Sequence, residues 1–372
     1  MTKNDDKCVP ALRFKGFNND WAQRMLGEIS IVNSGKDYKQ LNKGNIPVYG
    51  TGGYMLSVDQ YLSKNDAVGI GRKGTIDHPQ YLKAPFWTVD TLFFMTVREN
   101  NNLHYLYSLF QKINWKKYDE STGLPSLSKK TINNISVKVP EYIEQKRIGN
   151  FISQVDSLLS LQQRKAKQLK LLKKAMLQDL FTDKNVPKLR FNGFDANWIQ
   201  CKLEKEALLT MGQSPSGSTY SDQPSTYILV QGNADLKNGW VKPRIWTTQI
   251  TKLAKKGDII ITVRAPAGKV GRTNFDVVLG RGVASIQGND FIFYLLSKMD
   301  MNKYWKKYAA GSTFESINSN DIKNTRVHVP NLSEQNRIAN LFLRLDDLIR
   351  FQQNKLNNLQ KTKQFLLQNM FI

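Results

Sequence analysis

Apolar residues recur every seven positions along two long stretches of the chain, residues 141–182 and 331–372. The rows are Ile148, Val155, Gln162, Leu169 and Met176 in the first stretch, and Ile338, Leu345, Gln352, Leu359 and Leu366 in the second. Proline is absent from both stretches, and each row carries one polar glutamine at its midpoint. A seven-residue period is typical of long amphipathic helices that pack as a coiled coil. We therefore predict two long helices that pair through these rows.

The matched glutamines also suggest a register for the pair. A parallel pair would put Ile148 beside Ile338, and our hypothesis is the antiparallel pair. If Gln162 and Gln352 meet, an antiparallel arrangement brings Ile148 to Leu366 and Met176 to Ile338, with the glutamines fixing the register. The stripes are wider than a two-stranded coiled coil requires, so further helices are expected to pack on them. The alternative is that each stretch is simply the core helix of a neighbouring domain.

The rest of the chain contains an internal repeat. The segment Pro10–Trp21 recurs as Pro187–Trp198, and Trp115–Tyr118 recurs as Trp305–Tyr308. Between these shared segments the two halves differ in sequence. Each half is therefore a constant frame around a variable middle, and we predict four parts: domains at 1–140 and 183–330, and long helices at 141–182 and 331–372.

Each variable middle has the pattern of an α/β domain, with short apolar runs bounded by glycine turns and followed by one amphipathic helix. In the first middle, the predicted strands are Ile46–Tyr49, Ala67–Gly71 and Trp87–Val97, and the helix is Leu103–Trp115. In the second, the strands are Tyr227–Val230, Asp258–Arg264 and Gly282–Ile286, and the helix is Phe291–Tyr304. Asn331 and Glu334 have the spacing of a capping box at the start of the second long helix.

Charge narrows the class of partner. The chain has 54 Lys and Arg residues against 31 Asp and Glu, a net charge of +23, and this excess favours a polyanionic partner. Its two cysteines, Cys8 and Cys201, form no disulfide framework or metal-binding spacing. The N-terminus lacks the apolar core of a signal peptide, and no run is long enough to span a membrane. We expect a cytoplasmic protein without a membrane partner.

The repeated phrase Leu-Arg-Phe-x-Gly-Phe, the Glu-Gln and Arg-Ile pairs that open each long helix, and the alternation of variable and constant parts together resemble the specificity subunit of type I restriction-modification systems. The resemblance covers essentially the whole chain. It implies two pseudo-repeated α/β target recognition domains separated by two long antiparallel coiled-coil helices.

The resemblance further implies that each domain reads one half of a bipartite, asymmetric sequence in double-stranded DNA. Two methyltransferase subunits would dock on the helices, and restriction or translocase subunits would join outside them. A helix of roughly 34 residues spans about 50 Å, or about 15 base pairs, which suits an unread gap between half-sites. S-adenosylmethionine, ATP and magnesium are implied only for partner subunits, so we expect no cofactor in this chain.

Candidate DNA contacts follow from the glycine turns, where the backbone can approach phosphates and a long basic side chain can reach a base edge. The candidates are Tyr54, Arg72, Lys73 and Thr122 in the first domain, and Arg264, Lys269, Arg272, Arg281, Ser312 and Thr313 in the second. The repeated lysines Lys116, Lys117, Lys306 and Lys307 cannot distinguish two half-sites and suit phosphate contact. Each residue could equally be a solvated turn residue.

Catalytic motifs are missing from the sequence. It has no Asn/Asp-Pro-Pro-aromatic motif of amino methyltransferases, no phosphate-binding loop and no histidine cluster for a metal. We predict no catalytic site and no metal site. Two other classes stay open: a self-contained DNA-modifying enzyme, and a non-sequence-specific nucleic-acid-binding scaffold built on a coiled coil.

Overall fold

The computed structural model of the protein describes residues 9–309 and 316–372. The chain forms two compact units, which we call unit 1 (Met1–Arg164 with Gln352–Ile372) and unit 2 (Lys165–Phe351). Both long helices are continuous, and each contributes one part to unit 1 and the other part to unit 2. Each unit therefore contains one variable domain and one segment of paired long helix.

The strands of unit 1 are β1 (Ala22–Met25), β2 (Ser30–Ser34), β3 (Lys43–Gly50), β4 (Gly53–Val58), β5 (Ala67–Gly71), β6 (Gln80–Leu82), β7 (Trp87–Thr88), β8 (Leu92–Val97) and β9 (Ser136–Val139). Its helices are α1 (Leu26–Ile29), α2 (Leu103–Lys112), α3 (Lys129–Asn133) and the first part of α4 (Tyr142–Leu180). One antiparallel sheet has the order β2-β8-β5-β6, a second has the order β4-β3-β7, and β1 pairs with β9. A mixed α/β domain results.

Two apolar cores stabilise unit 1. Ile70, Phe110, Ile148 and Leu366 belong to the larger core, so the first sheet, α2 and both long helices share one buried interior. A smaller core around Phe86 lies among residues of the two sheets. The long helices are thus part of the domain core and cannot be removed from it without exposing apolar surface.

The predicted strand Trp87–Val97 was wrong as a single element. The structure divides it into β7, which pairs with β3, and β8, which pairs with β2 and β5. A turn closed by the Leu92 N–H donating to the Val89 carbonyl (3.0 Å) separates them. Only two polar residues, Asp90 and Thr91, separate the two buried apolar runs, and the prediction joined the runs across them. The predicted helix from Leu103 likewise ends early, at Lys112.

The strands of unit 2 are β10 (Ile199–Lys202), β11 (Leu208–Met211), β12 (Tyr220–Ser221), β13 (Tyr227–Val230), β14 (Leu236–Lys237), β15 (Trp240–Val241), β16 (Ile245–Thr247), β17 (Leu253–Ala254), β18 (Ile259–Thr262), β19 (Val270–Arg272), β20 (Val277–Leu279), β21 (Val283–Gln287) and β22 (Arg326–Val329). Its helices are α5 (Asp290–Met301), α6 (Lys306–Ala309), α7 (Ser319–Lys323) and the first part of α8 (Leu332–Asn369). The sheet orders are β11-β21-β18-β19-β15-β14 and β12-β16-β13-β20-β17, and β10 pairs with β22.

The two units share a scaffold despite their different sequences. The neighbours β2, β8 and β5 in unit 1 have the same order as β11, β21 and β18 in unit 2, with antiparallel pairing throughout. In each unit an amphipathic helix follows the middle strand of this trio, α2 after β8 and α5 after β21. A two-stranded antiparallel pair, β1 with β9 or β10 with β22, then leads into a long helix. Among the described residues, unit 2 has thirteen strands and unit 1 has nine, and the second sheet has five strands in unit 2 against three in unit 1. The second variable domain is therefore larger.

A buried ion pair joins the start of each long helix to the repeated phrase. Arg13 donates Nε and Nη2 to the two carboxylate oxygens of Glu144, both at 2.8 Å, and Arg190 binds Glu334 with the same two distances. The two glutamates are 1% and 0% exposed. These hydrogen bonds raise the pKa of both arginines above the usual value. Paired, bidentate contact is what makes a buried carboxylate tolerable.

The predicted capping box at Asn331 is only half formed. The Asn331 side-chain oxygen accepts the Glu334 backbone N–H at 2.9 Å. The Glu334 carboxylate does not turn back to close the box, because Arg190 holds it.

The long helices run antiparallel, as predicted. In unit 1, Gln352 Nε2 donates to the Gln162 side-chain oxygen, and Lys363 forms an ion pair with Asp156. In unit 2, Lys173 Nζ lies 2.5 Å from Asp346 Oδ1. All three pairs fit one antiparallel register.

The heptad rows lie at or near the helix contact. Ile148 and Leu366 share the core of unit 1, and Met176 packs against the core of unit 2, which includes Ile338. Gln162, Leu345 and Gln352 are also buried, and Val155, Leu169 and Leu359 are half-buried.

The glutamine pair yields a test by double substitution. Gln162→Leu should lower the free energy of unfolding by about 1–3 kcal/mol, because it leaves the Gln352 amide buried without its partner. The double variant Gln162→Leu/Gln352→Leu should recover most of that loss, since both polar groups are then removed. Urea unfolding of the unmodified chain, the single variants Gln162→Leu and Gln352→Leu, and the double variant measures the cycle. Additive losses would contradict the contact.

The entry ion pairs yield a second test. Arg13→Ala should cost about 3–5 kcal/mol by stranding the buried Glu144 carboxylate, and Arg13→Met/Glu144→Leu should cost much less. Lys188, which contacts Asp179 at 3.1 Å with an 82% exposed side chain, is the control. Lys188→Ala should cost under about 1 kcal/mol. Chemical unfolding measures all three, and an Arg13→Ala protein as stable as the control would refute the role of the pair.

Candidate nucleic-acid interface

A cleft of about 430 Å³ opens beside the end of β5 in unit 1, and we call it cleft 1. Its lining includes Ser34, Arg72, Lys73, Phe93, Glu120, Ser126 and Lys129. The turn after β5 depends on Gly71, where a Cβ would lie 2.0 Å from the Thr75 carbonyl oxygen, and on Gly74, which has φ +87°. Glycine is thus required at both ends of the Gly71–Gly74 turn.

The backbone of Arg72 is fixed while its side chain is free to reach outwards. Its N–H donates to the Thr91 carbonyl at 2.7 Å, and its carbonyl accepts the Leu127 N–H at 2.9 Å. The exposed guanidinium lies 5.8 Å from the centre of the Phe93 ring. The backbone of Lys73 forms an isolated β-bridge with Ser126, which also lines the cleft. A fixed backbone that carries exposed cationic side chains suits contact with a polyanion.

Unit 2 has a cleft of about 330 Å³ beside the end of β18, and we call it cleft 2. Its lining comprises Ser214, Gln231, Gly232, Arg264, Ala265, Arg281 and Gly282. The Arg281 N–H donates to Ser214 Oγ at 3.1 Å. At Gly282 a Cβ would lie 2.1 Å from the Gln231 carbonyl oxygen, so a close backbone approach positions the glutamine beside the arginines. The sequence indicated Arg264 and Arg281 but gave no signal for Gln231 or Ser214.

The two clefts occupy corresponding places in the repeat. The backbone of Lys73 forms an isolated antiparallel β-bridge with Ser126, and that of Arg264 forms one with Ser316. Ser316 lies 190 residues after Ser126 in the chain. The side chains differ on this shared backbone. The Val89–Leu92 turn corresponds to the Gly280–Val283 turn, so Asp90 stands where cleft 2 has Arg281. Glu120 lines cleft 1, whereas no acidic residue among those described lines cleft 2.

Comparison with known proteins decides the family. Residues 18–171 and 210–361 match the family model of the type I restriction modification DNA specificity domain. The chain belongs to this family. The type I restriction enzyme MjaVIII specificity subunit of Methanocaldococcus jannaschii is 24% identical over 291 residues, covering 72% of this chain and 68% of that protein. The repeat, the paired helices and the two clefts are therefore features of a specificity-domain protein.

Solved structures support the fold. The type I restriction-modification S subunit from M. genitalium has a TM-score of 0.71 at 12% identity and covers 98% of this chain and 99% of its own. A chain described under the complex assembly and conformational transition of the type I R-M system has a TM-score of 0.56 at 20% identity, with coverage of 93% and 96%. At these identities the likeness establishes the fold.

The remaining predicted contacts of this specificity-domain protein lie outside the cleft linings. In unit 1, Tyr54 is 63% exposed and Thr122 and Lys117 are exposed. Lys116 forms an exposed ion pair with Asp77 at 2.9 Å, and this contact lowers the pKa of the Asp77 carboxyl. Their part in DNA contact stays a prediction.

In unit 2, two of the predicted lysines interact within the protein. Lys269 Nζ lies 2.8 Å from Asp300, and Lys307 Nζ lies 3.7 Å from the centre of the Tyr304 ring. Lys306 is exposed. Ser312 and Thr313 lie outside the described residues.

Arg272 differs from the other predicted contacts because its side chain is only 12% exposed. Its guanidinium forms an ion pair with Asp290 and lies 4.3 Å from the centre of the Phe293 ring. Both partners belong to α5, so Arg272 attaches this helix to β19. The geometry gives it a structural role, and its predicted role in DNA contact has no further support.

No described group of three or more His, Cys, Asp and Glu side chains is arranged to hold a metal ion. No helix in the part of the chain that the structure describes has both the length and the apolar character needed to cross a bilayer.

The two arginines of unit 2 can be distinguished by stability. Arg272→Ala should lower the free energy of unfolding by about 2 kcal/mol, because it removes an ion pair and a cation–π contact. Arg281→Ala, at an exposed cleft position, is the matched control and should change it by less than about 0.5 kcal/mol. Urea unfolding of both variants measures this. Equal stabilities would show that Arg272 does not hold α5.

Proposed function

We propose that the chain is the DNA sequence-recognition subunit of a type I restriction-modification complex and that clefts 1 and 2 each read one half of a bipartite sequence. One observation carries the proposal: the two clefts sit on corresponding backbone positions but present different side chains. A protein that binds nucleic acid without regard to sequence has no need for two different readers on one repeated scaffold.

The side chains suit different base edges. Arginine binds guanine O6 and N7 as a bidentate donor, glutamine pairs with adenine, and a carboxylate accepts the cytosine amino group. Cleft 2 offers Arg264, Arg281 and Gln231. Cleft 1 offers Arg72 together with Glu120. The two half-sites should therefore differ, which makes the whole recognised sequence asymmetric.

The long helices are the proposed docking surface for partner subunits. Besides the residues that pair the helices, large apolar side chains remain exposed, including Leu158 and Leu161 in unit 1 and Leu348 and Phe351 in unit 2. Exposed apolar rows on a helix favour contact with another protein. Two methyltransferase subunits would bind here, one on each repeat, and restriction or translocase subunits would join them.

The chemistry of the complex is assigned to those partners. S-adenosylmethionine would be bound by the methyltransferase subunits, and ATP and magnesium by the translocase. The specificity subunit contributes recognition and assembly, and the complex would act on DNA in the cytoplasm.

Domain exchange tests the proposal. Residues 1–140 are replaced by the corresponding domain of another family member that has an arginine at the position of Arg13, so that it can pair with Glu144 of this chain. The hybrid chain is expressed with its methyltransferase subunit. Mapping of methylated bases should show one half-site changed and the other half-site unchanged. Exchange of residues 183–330 is the matched control and should change the opposite half.

Two results would contradict the proposal. An unchanged methylation pattern after either exchange would favour a non-sequence-specific scaffold. Methyl transfer by the purified chain alone would make the chain an enzyme.

A further inference from the structure

The long helices differ in charge at three exposed positions that lie close together on α4. On α4 these are Lys167, Lys170 and Lys174, and the residues 190 positions later on α8 are Asn357, Gln360 and Gln364. All six side chains are exposed. The helices thus share their apolar register, but at these three positions α4 carries positive charges that α8 lacks. We call Lys167, Lys170 and Lys174 the lysine stripe.

The three lysines form one narrow line on the helix surface. At 3.6 residues per turn they lie within an arc of about 60°, and they extend over about 10 Å of α4. Among the described residues, none forms an ion pair with any of the three. No Asp or Glu occurs between Gln163 and Gln178, so like charges face each other at spacings of three and four residues. Such pairs destabilise an isolated helix, so helix stability does not account for them.

A neighbouring lysine shows what the fold itself requires. Lys173 and its counterpart Lys363 are both retained, and each forms an ion pair with an aspartate of the other long helix, Asp346 and Asp156 respectively. Lysines that pair the helices therefore occur in both repeats. The lysine stripe, which pairs with nothing described, occurs in one repeat. At the two positions where glutamine replaces lysine, the two residues have similar helix propensity, so charge is the property that differs.

We propose that the lysine stripe binds the phosphate backbone of double-stranded DNA, independently of its sequence. This inference rests on the proposed function. Two identical methyltransferase subunits, one on each repeat, would require the same chemistry on both helices, and the stripe has no counterpart on α8. One strand of B-DNA carries a phosphate about every 3.4 Å of axis, so about three phosphates match the 10 Å length of the stripe.

The test removes the three charges and measures the salt dependence of DNA binding. The full chain and the variant Lys167→Gln/Lys170→Gln/Lys174→Gln are titrated with a mixed-sequence duplex over a range of salt concentrations. The slope of log affinity against log salt should become shallower by about 2 to 3, because each lost phosphate contact removes about 0.9. The single variant Lys170→Gln should lose about one third of that amount.

The matched control removes three other exposed lysines of the same helices. Lys165→Gln/Lys355→Gln/Lys361→Gln deletes the same charge, but Lys165 points away from the stripe on α4, and the other two lie on α8. Its slope should change by less than half as much. Unchanged helix content and unchanged thermal midpoints by circular dichroism confirm that both triple variants are folded.

Each contrary outcome has a separate meaning. A stripe variant with an unchanged salt slope that no longer assembles with the methyltransferase subunit would assign the stripe to an acidic protein surface and overturn the inference. An unchanged slope with normal assembly and normal sequence-specific methylation would show a solvated stripe and overturn this inference alone. An unmodified chain that binds no duplex, alone or with its methyltransferase subunit, would overturn the proposed function as well.

Discussion

The structure depends on the buried contact between an arginine of each repeated phrase and a glutamate in the first turn of each long helix. Arg13 and Glu144 are 131 residues apart in the chain, so their contact joins the two ends of the first variable domain. Arg190 and Glu334 join the two ends of the second variable domain in the same way. Removing a carboxylate from water is costly, and only full pairing offsets this cost. A domain that folds without reaching this contact would strand the charge. The pair therefore links correct folding of each variable domain to correct placement of its helix.

The contact also separates what can vary from what cannot. Around it, Phe14 and Phe191 lie beneath Arg147 and Arg337, with 4.8 Å and 5.4 Å between ring centre and guanidinium, and both residues of each pair belong to the repeated segments. Gln145 and Gln335 each donate to the carbonyl of the proline before the helix. The clefts lie on loops outside this network. Their side chains can change without breaking a buried contact, so sequence readout can diverge while the frame stays constant.

The sequence predicted features that depend on local periodicity. The heptad rows predicted the pairing of the helices, because the apolar period is repeated along each helix, and the matched central glutamines predicted the register. The antiparallel direction was a hypothesis that the family resemblance supported, since glutamines at both midpoints meet in either direction. The boundary at Val89–Leu92 was missed because its two polar residues, Asp90 and Thr91, are a short interruption between two buried apolar strands. The pairing of Glu144 was not predicted, since its arginine partner lies 131 residues away and leaves no local trace. Within the clefts, Arg72 and Arg264 followed from glycine turns, whereas Gln231 arrives through long-range strand pairing.

The aspartates of the helix pair show how far the repeat constrains its surroundings. Asp156 and Asp346 each bind a lysine of the opposite helix, so this contact has the same geometry in both units. The groups that surround the two aspartates besides these lysines differ. The Tyr294 hydroxyl donates to Asp346 at 2.9 Å, and burial together with this carboxylate raises the pKa of the phenol. In unit 1, the Oδ2 atom of Asp156 has no hydrogen-bond partner among the described residues. Burial together with this carboxylate raises the pKa of the nearby Tyr107 phenol to about 12. The contacts that hold the helices together are thus kept identical, and residues one step outside them follow the needs of each variable domain. On the exposed faces, where neither constraint acts, a charge difference such as the lysine stripe can arise without cost to either.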